Sequence, residues 1–234
     1  MKNAGAEMQA AVEVRQVSKR YGEHDVQALQ DVSLLVPRGK FIALMGPSGC
    51  GKSTLLNCIG GLDVVSGGKI FIGGADVSGL DEAALTELRR HKIGFVFQFF
   101  NLLSTLTVRE NISLPLELAG KLSRHEIRKR TDELLSEVGL TPRADFYPSQ
   151  LSGGEMQRAA VIRAMSHRPQ VILADEPTGN LDTDNGNNIL GLLQSLCKQR
   201  GETILMATHS QDAAAYADAV VRMKDGRIIE TVPV

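Results

Sequence analysis

The sequence predicts an α/β fold: a parallel sheet flanked by helices, with an antiparallel β region ahead of it and a helical segment set into it. Three observations predict this. An apolar run, Phe41-Ile42-Ala43-Leu44-Met45, feeds a glycine-rich loop and then a helical stretch. The last third alternates strand and helix patterns, which implies parallel pairing and ligands at the C-terminal ends of the strands. Between residues 99 and 165 the strand patterns give way to helical ones. With 234 residues, the chain has room for one large domain carrying an inserted helical subdomain, about 99–165.

Taken in order, residues 1–10 are small and polar and predict a frayed end. Val12, Val14 and Val17 start a half-buried strand. Tyr21-Gly22 is turn-like, and strand patterns resume at 26–29 and 32–36. Pro37-Arg38-Gly39 turns the chain into the strand 41–45. Residues 53–60 read as a helix ended by Gly60-Gly61. A short strand at 69–72 and a helix at 82–90 follow, and then a strand at 93–97 that delivers Gln98 at its end. Residues 107–119 and 123–138 are helical. The second of these opens with a capping box, Ser123 and Glu126, and carries a stripe of Ile127, Thr131, Leu134, Leu135 and Val138. Strand 171–174, a helix at about 183–199, strand 203–207 and a helix at about 211–217 come next. Finally, 220–223 and 227–229 flank Asp225-Gly226, a hairpin turn.

Gly46-Pro47-Ser48-Gly49-Cys50-Gly51-Lys52-Ser53-Thr54 fits the phosphate-loop template, and its strand–loop–helix setting favours that reading over an ordinary glycine-rich turn. Glycines let backbone N–H groups turn inward around phosphate oxygens. The following helix adds unpaired N–H groups and the positive end of its dipole. Lys52 can reach the β- and γ-phosphates, and the Ser53 hydroxyl can ligate Mg²⁺. The chain is therefore expected to bind a nucleoside triphosphate. Asp175 and Glu176 end the apolar strand 171–174, where one acid can serve Mg²⁺ and the other can polarise an attacking water. Leu151-Ser152-Gly153-Gly154-Glu155 precedes an amphipathic helix and offers a second anion site, or else an ordinary N-cap. One nucleotide already has its cradle at 46–54, so a second phosphate site about 100 residues on needs explaining. For Tyr21, a nucleobase platform and a core or turn aromatic fit equally.

Composition narrows the classes. A net charge of −1 supplies no basic field to draw the chain onto nucleic acid. No apolar run approaches the ~20 residues of a membrane span, and no signal-peptide pattern is present. Arg89-Arg90-His91-Lys92 and Arg128-Lys129-Arg130 read as solvated helix faces. Cys50, Cys58 and Cys197 lack metal-ligand or disulfide spacing and suit a reducing cytosol. Cys50 lies inside the phosphate loop, where it is either a target for an alkylating reagent or a small residue filling a permissive position.

The order of phosphate loop, Gln98, Leu-Ser-Gly-Gly-Glu at 151–155, Asp175-Glu176 and His209 resembles the ATP-binding cassette (ABC) ATPases over about 12–232. The resemblance implies a P-loop NTPase core of ABC-ATPase type, with two cassettes sandwiching two ATP molecules. Each nucleotide would be held between one protomer's 46–54 and Ser152, Gly153 and Gly154 of the other. By the same resemblance Tyr21 stacks on adenine, Gln98 senses Mg²⁺ and water, Asp182 links the two sites, and His209 touches the γ-phosphate. Asp175 supports the metal and Glu176 polarises water. Many members carry Ser-Ala where this chain has Gly179-Asn180, but Leu181-Asp182 is intact.

Three classes of cassette remain: a transporter's energising subunit, a DNA-repair or chromosome-organising cassette, and a translation-associated one. The stretch 55–150 holds no sustained heptads, which disfavours the second. A single cassette with near-zero charge disfavours the third. Asn57-Cys58-Ile59-Gly60-Gly61-Leu62-Asp63, 95–103 and 174–182 resemble the lipoprotein-releasing and macrolide- or toxin-efflux subgroup. That resemblance implies a separate membrane permease with few membrane helices and a large extracytoplasmic domain, driven mechanically from the cytoplasmic face of the bacterial inner membrane. Phe99, Phe100, Leu102 and Leu103 would lie beside the groove that receives a short permease helix; for Phe99 and Phe100 the alternative is ordinary core packing.

Overall fold

Two twelve-residue strands, β1 (Ala10–Tyr21) and β2 (Val26–Pro37), pair antiparallel so that Val12 faces Val36, Val14 faces Leu34 and Val17 faces Val32. The computed structural model describes residues 10–22 and 26–234, so the expected frayed end lies outside the described residues except for Ala10. The sequence predicts two strand pieces at 26–29 and 32–36, but β2 is continuous. Asp31 takes a left-handed φ of 47°, a conformation Asp tolerates better than most residues, and its N–H donates to Ser18 Oγ. The resulting bulge shifts the register without ending the strand. β4 (Gly67–Ile72) and β5 (Ala75–Asp76) complete this sheet in the order β2-β1-β4-β5, all antiparallel.

The second sheet has six strands: β3 (Phe41–Met45), β6 (Ile93–Val96), β7 (Val171–Asp175), β8 (Ile204–Thr208), β9 (Ala219–Lys224) and β10 (Arg227–Pro233). Their order is β10-β9-β3-β8-β7-β6, parallel except for β10, which returns through the expected Asp225-Gly226 turn. Alternate residues of each central strand enter different cores, as the two-residue period requires. Ile172 and Met206 join one core with Val108, Ile112, Leu134, Val161 and Leu193. Leu173 and Leu205 join the other with Val14, Leu34, Leu55, Leu56 and Ile59.

The helices are α1 (Lys52–Ile59), α2 (Glu82–Lys92), α3 (Val108–Ala119), α4 (Arg124–Glu137), α5 (Gly153–Met165), α6 (Thr183–Arg200) and the short α7 (Gln211–Ala214). Only helices and two 3-10 turns, Thr141–Arg143 and Pro148–Gln150, lie between β6 and β7. α7 stops short of the expected 217, because the chain turns down so that the Asp218 N–H donates to the Phe41 carbonyl at the start of β3. The strand order places β3, β8 and β7 side by side. Their C-terminal ends therefore deliver 46–54, His209 and Asp175-Glu176 to one edge.

Candidate functional site

Backbone packing shapes the loop between β3 and α1. A Cβ at Gly46 would lie 2.2 Å from the Met223 carbonyl of β9. Gly51 holds φ 104°, and a Cβ there would lie 2.6 Å from the Ala28 carbonyl of β2. Both glycines thus let the loop nest between two strands, a reason the sequence does not display. Lys52 is 6% exposed, and its Nζ donates to the carbonyls of Gly46 (2.8 Å) and Pro47 (3.1 Å). No carboxylate pairs with it among the described residues. The Cys50 side chain is buried at 3% exposure, which removes it as a ready target for alkylation and leaves the small-residue role.

The acids of β7 meet this loop. Ser53 Oγ donates to Asp175 Oδ1 at 2.9 Å. Burial holds the Asp175 carboxyl above the usual carboxylate range. The Ser53 hydrogen bond opposes this shift and the neighbouring Glu176 charge adds to it. Glu176 adopts φ 46°, fixed by its N–H on the Ala207 carbonyl (3.0 Å) and by its own carbonyl accepting from the Gly179 N–H (3.0 Å). His209 Nδ1 lies 3.0 Å from Glu176 Oε1. Gln98 sits against the loop after β7: Asn180 Nδ2 donates to its carbonyl (2.9 Å), and a Cβ at Gly179 would lie 2.8 Å from its Nε2. The Gly179-Asn180 departure thus has a local use, since the glycine makes room for Gln98 and the asparagine ties it down.

Tyr21 reaches the same region from β1. Its hydroxyl donates to Asp63 Oδ2 (2.5 Å), while the residue stays 40% exposed. Burial, together with the Asp63 hydrogen bond, pushes the phenol up to about 12. Lys19 Nζ stands 4.7 Å from the ring centroid and pairs with Asp63 Oδ1 at 2.5 Å. This Lys19–Asp63 support was not read from the sequence, because its members lie 44 residues apart.

Ser152, Gly153 and Gly154 stand elsewhere. Ser152 caps α5, with Glu155 Oε2 accepting from its N–H at 2.9 Å. A Cβ at Gly154 would lie 2.4 Å from Asn185 Oδ1, and one at Gly153 3.3 Å from Leu181. Asp182 caps α6 through the Asn185 N–H (2.9 Å), which holds its carboxyl below the usual range. These contacts keep 152–154 beside the start of α6, and none runs to 46–54 among the described residues.

Two further residues of α5 grip the Gln98 segment. Gln157, fully buried, donates to the Pro177 carbonyl at 2.6 Å and lies 3.5 Å from that of Phe97. Arg163 donates to the carbonyls of Phe100 (3.0 Å) and Asn101 (2.5 Å), both at left-handed φ. Nothing in the sequence marked either residue beyond an amphipathic pattern. Phe99 is 72% exposed, so the core-packing alternative fails for it, whereas Leu102 packs on the core. Arg89 is not merely solvated, since it donates to the Gly61 carbonyl and pairs with Glu82.

The residues fit a magnesium-bound triphosphate. α2 to α6 each carry a side-chain N-cap and an acid in the first turn, whereas α1 has neither, which leaves its N-terminus free for an anion. Ser53 and Asp175 offer the adjacent hard oxygens that Mg²⁺ prefers. A consequence for stability follows from Asp175. Its folded-state pKa is raised, so its favourable contribution is present below the unfolded value and is lost as pH rises through the folded one. At pH 7 the ionised carboxylate therefore weakens the nucleotide-free fold. Asp175→Asn should raise the melting temperature without nucleotide at pH 7. The gain should shrink toward pH 4. A lower melting temperature at pH 7 would contradict this.

Comparison with known proteins agrees with this geometry. The family model described as "ABC transporter" matches residues 29–179. The lipoprotein-releasing system ATP-binding protein LolD 1 of Rhodopseudomonas palustris is 46% identical over 204 residues, covering 87% of this chain and 90% of that protein. The macrolide export ATP-binding/permease protein MacB of Salmonella typhimurium is 43% identical over 228 residues, covering 97% of this chain but 35% of that protein. Among solved structures, the dimeric post-hydrolysis state of the cassette MJ0796, bound to ADP and phosphate, superposes with a TM-score of 0.87 at 42% identity. That match covers 95% of this chain and 98% of the other.

Proposed function

The chain belongs to the ABC transporter family as an ATP-hydrolysing cassette, and on that premise we propose that two copies close around two ATP molecules and drive a membrane permease. The observation that carries this reading is the separation of two anion-binding elements. The loop 46–54 gathers Ser53, Asp175, Glu176 and His209 at one strand edge, while Ser152–Gly154 are held beside α6. A second copy supplies the partner that 152–154 need. The helical segment about 99–165 is then the subdomain that carries 152–154 toward that copy.

In this reading the 46–54 backbone and Lys52 hold the β- and γ-phosphates, and Tyr21 stacks on adenine. Ser53, Asp175 and Gln98 hold Mg²⁺, which when bound neutralises phosphate charge and aligns the phosphate oxygens. Glu176, oriented by its turn, accepts the proton of the attacking water as the water's oxygen bonds to the γ-phosphorus and ADP leaves. His209 steadies the γ-phosphate, and Asp182 conveys the state of one site to the other. Positioning and charge stabilisation do most of the work, as is usual for phosphoryl transfer.

Similarity to LolD and MacB supports export or extraction of lipoprotein, antimicrobial or other envelope cargo. No described helix is long and apolar enough to cross a membrane. In this reading the cassette works at the cytoplasmic face, beside the permease that it drives. The test is capture from detergent-solubilised membranes of the native host with tagged Glu176→Gln protein and Mg²⁺-ATP. A co-purifying membrane protein with few spans and a large extracytoplasmic domain is expected. Recovery of soluble partners alone would refute the transport role.

A further inference from the structure

The platform for the base and the cradle for the phosphates stand on different sheets. Tyr21 ends β1 of the four-stranded sheet, whereas 46–54 joins β3 of the six-stranded sheet to α1. One side-chain cluster ties them together. Asp63 follows α1 closely, fixed to it by the Leu62 and Asp63 N–H groups, which donate to the Asn57 carbonyl at 2.9 and 3.3 Å. Its carboxylate then takes donors from both elements. Oδ2 accepts the Tyr21 hydroxyl at 2.5 Å. Oδ1 accepts the Lys19 ammonium (2.5 Å) and the Val64 N–H (2.8 Å).

Lys19 is a costly group to place here. It is 9% exposed, and a cation so far out of water needs partners. Those partners are the Asp63 carboxylate and the Val64 carbonyl, the latter at 2.7 Å. The ammonium also stands over the Tyr21 ring, 4.7 Å from its centroid, within the range of a cation–π attraction. One ring face is thereby taken, and a base can stack only on the other. A tyrosine 40% exposed and free at its hydroxyl would sample several rotamers. The bond to Asp63 and the cation behind the ring leave it one.

We infer that Asp63 and Lys19 are positioning residues for the nucleobase: they lock the Tyr21 ring at a fixed place relative to α1, so that base and phosphates meet two sites already in register. This inference rests on the reading of Tyr21 as the adenine platform and adds what holds that platform. Neither residue belongs to 46–54, so the clamp acts on the base half of the nucleotide. Locking a ring before binding removes the cost of ordering it afterwards, which corresponds to about fivefold in Kd.

The test compares two ligands of the full chain by titration calorimetry: Mg²⁺-ADP, and Mg²⁺ with inorganic diphosphate, which has no base. Neither carries a γ-phosphate to hydrolyse. Tyr21→Phe keeps the ring and removes only the hydroxyl, and Asp63→Asn leaves one oxygen where two are used. Each should raise the Kd for ADP about fivefold and leave that for diphosphate within about twofold of the parent. Combined, they should stay near fivefold rather than reach about 25-fold, because both cut the same bond. Tyr21→Ala, which removes the platform itself, should cost ADP about 20-fold. If Tyr21→Ala weakens ADP but the two milder variants do not, or if the pair is additive, the inference is overturned and the stacking reading stands. Equal weakening of ADP and diphosphate would also overturn it, since the cluster would then serve the phosphate loop or the fold. If Tyr21→Ala leaves ADP binding unchanged, the adenine reading of Tyr21 falls and the inference with it. Should Asp63→Asn fail to fold with Lys19 left unpaired, Tyr21→Phe decides alone.

Discussion

The Glu176→Gln protein is expected to bind ATP as tightly as its parent and to hydrolyse it on the order of 10³-fold more slowly. Glutamine matches glutamate in size and keeps an oxygen for His209, so the 3.0 Å contact survives. The backbone bonds to Ala207 and Gly179 that aim the side chain do not involve its carboxylate. What is lost is the ability to take a proton. Binding and turnover should therefore separate, with an unchanged Kd for ATP and a collapsed kcat. Unhydrolysed ATP should then hold two copies together, visible as a shift to dimer in size-exclusion chromatography with Mg²⁺-ATP and a return to monomer with ADP. Near-normal kcat would remove Glu176 from the role of base. A lost Kd would mean that the substitution had disturbed the loop rather than the chemistry.

The parts of this site that were legible in the sequence are those set by local pattern. The apolar run 41–45, the phosphate-loop spacing and the acids after 171–174 are contiguous signals, and each element formed where expected. The Asp225-Gly226 hairpin was equally local. The strand order β3-β8-β7 was not legible, since it depends on which buried faces pack together over more than a hundred residues. The reasons for particular residues were hidden in the same way. Gly46 and Gly51 are required by the carbonyls of Met223 and Ala28, which approach from distant strands. Gln157 and Arg163 look like ordinary polar positions on an amphipathic helix until the 97–101 carbonyls are placed beside them. The two-piece reading of β2 failed because a bulge at Asp31 resembles a break in the apolar pattern.

Lys52→Ala should produce the opposite split: ATP affinity falls about 100-fold while the fold persists. The ammonium is held inside the loop by the Gly46 and Pro47 carbonyls, with no carboxylate paired to it among the described residues. It is thus placed to serve an anion rather than an ion pair of the fold. A charge-assisted hydrogen bond to phosphate contributes about 1.5–3 kcal/mol, and a factor of 100 in Kd corresponds to about 2.7 kcal/mol. Truncation to alanine removes a buried cation along with its packing, so these effects on the free protein partly cancel. The loop keeps its shape through Gly46 and Gly51, which pack on β9 and β2 without help from the lysine. Melting curves separate the two effects. The parent should gain stability with rising Mg²⁺-ATP by RT ln(1 + [L]/Kd), and the variant should show that gain only at about 100-fold higher nucleotide. If the variant melts far lower without nucleotide, Lys52 belongs to the fold. If it keeps the parent's ATP dependence, 46–54 is not the triphosphate site, and the convergence of Ser53, Asp175 and Glu176 on that loop would need another ligand to explain it.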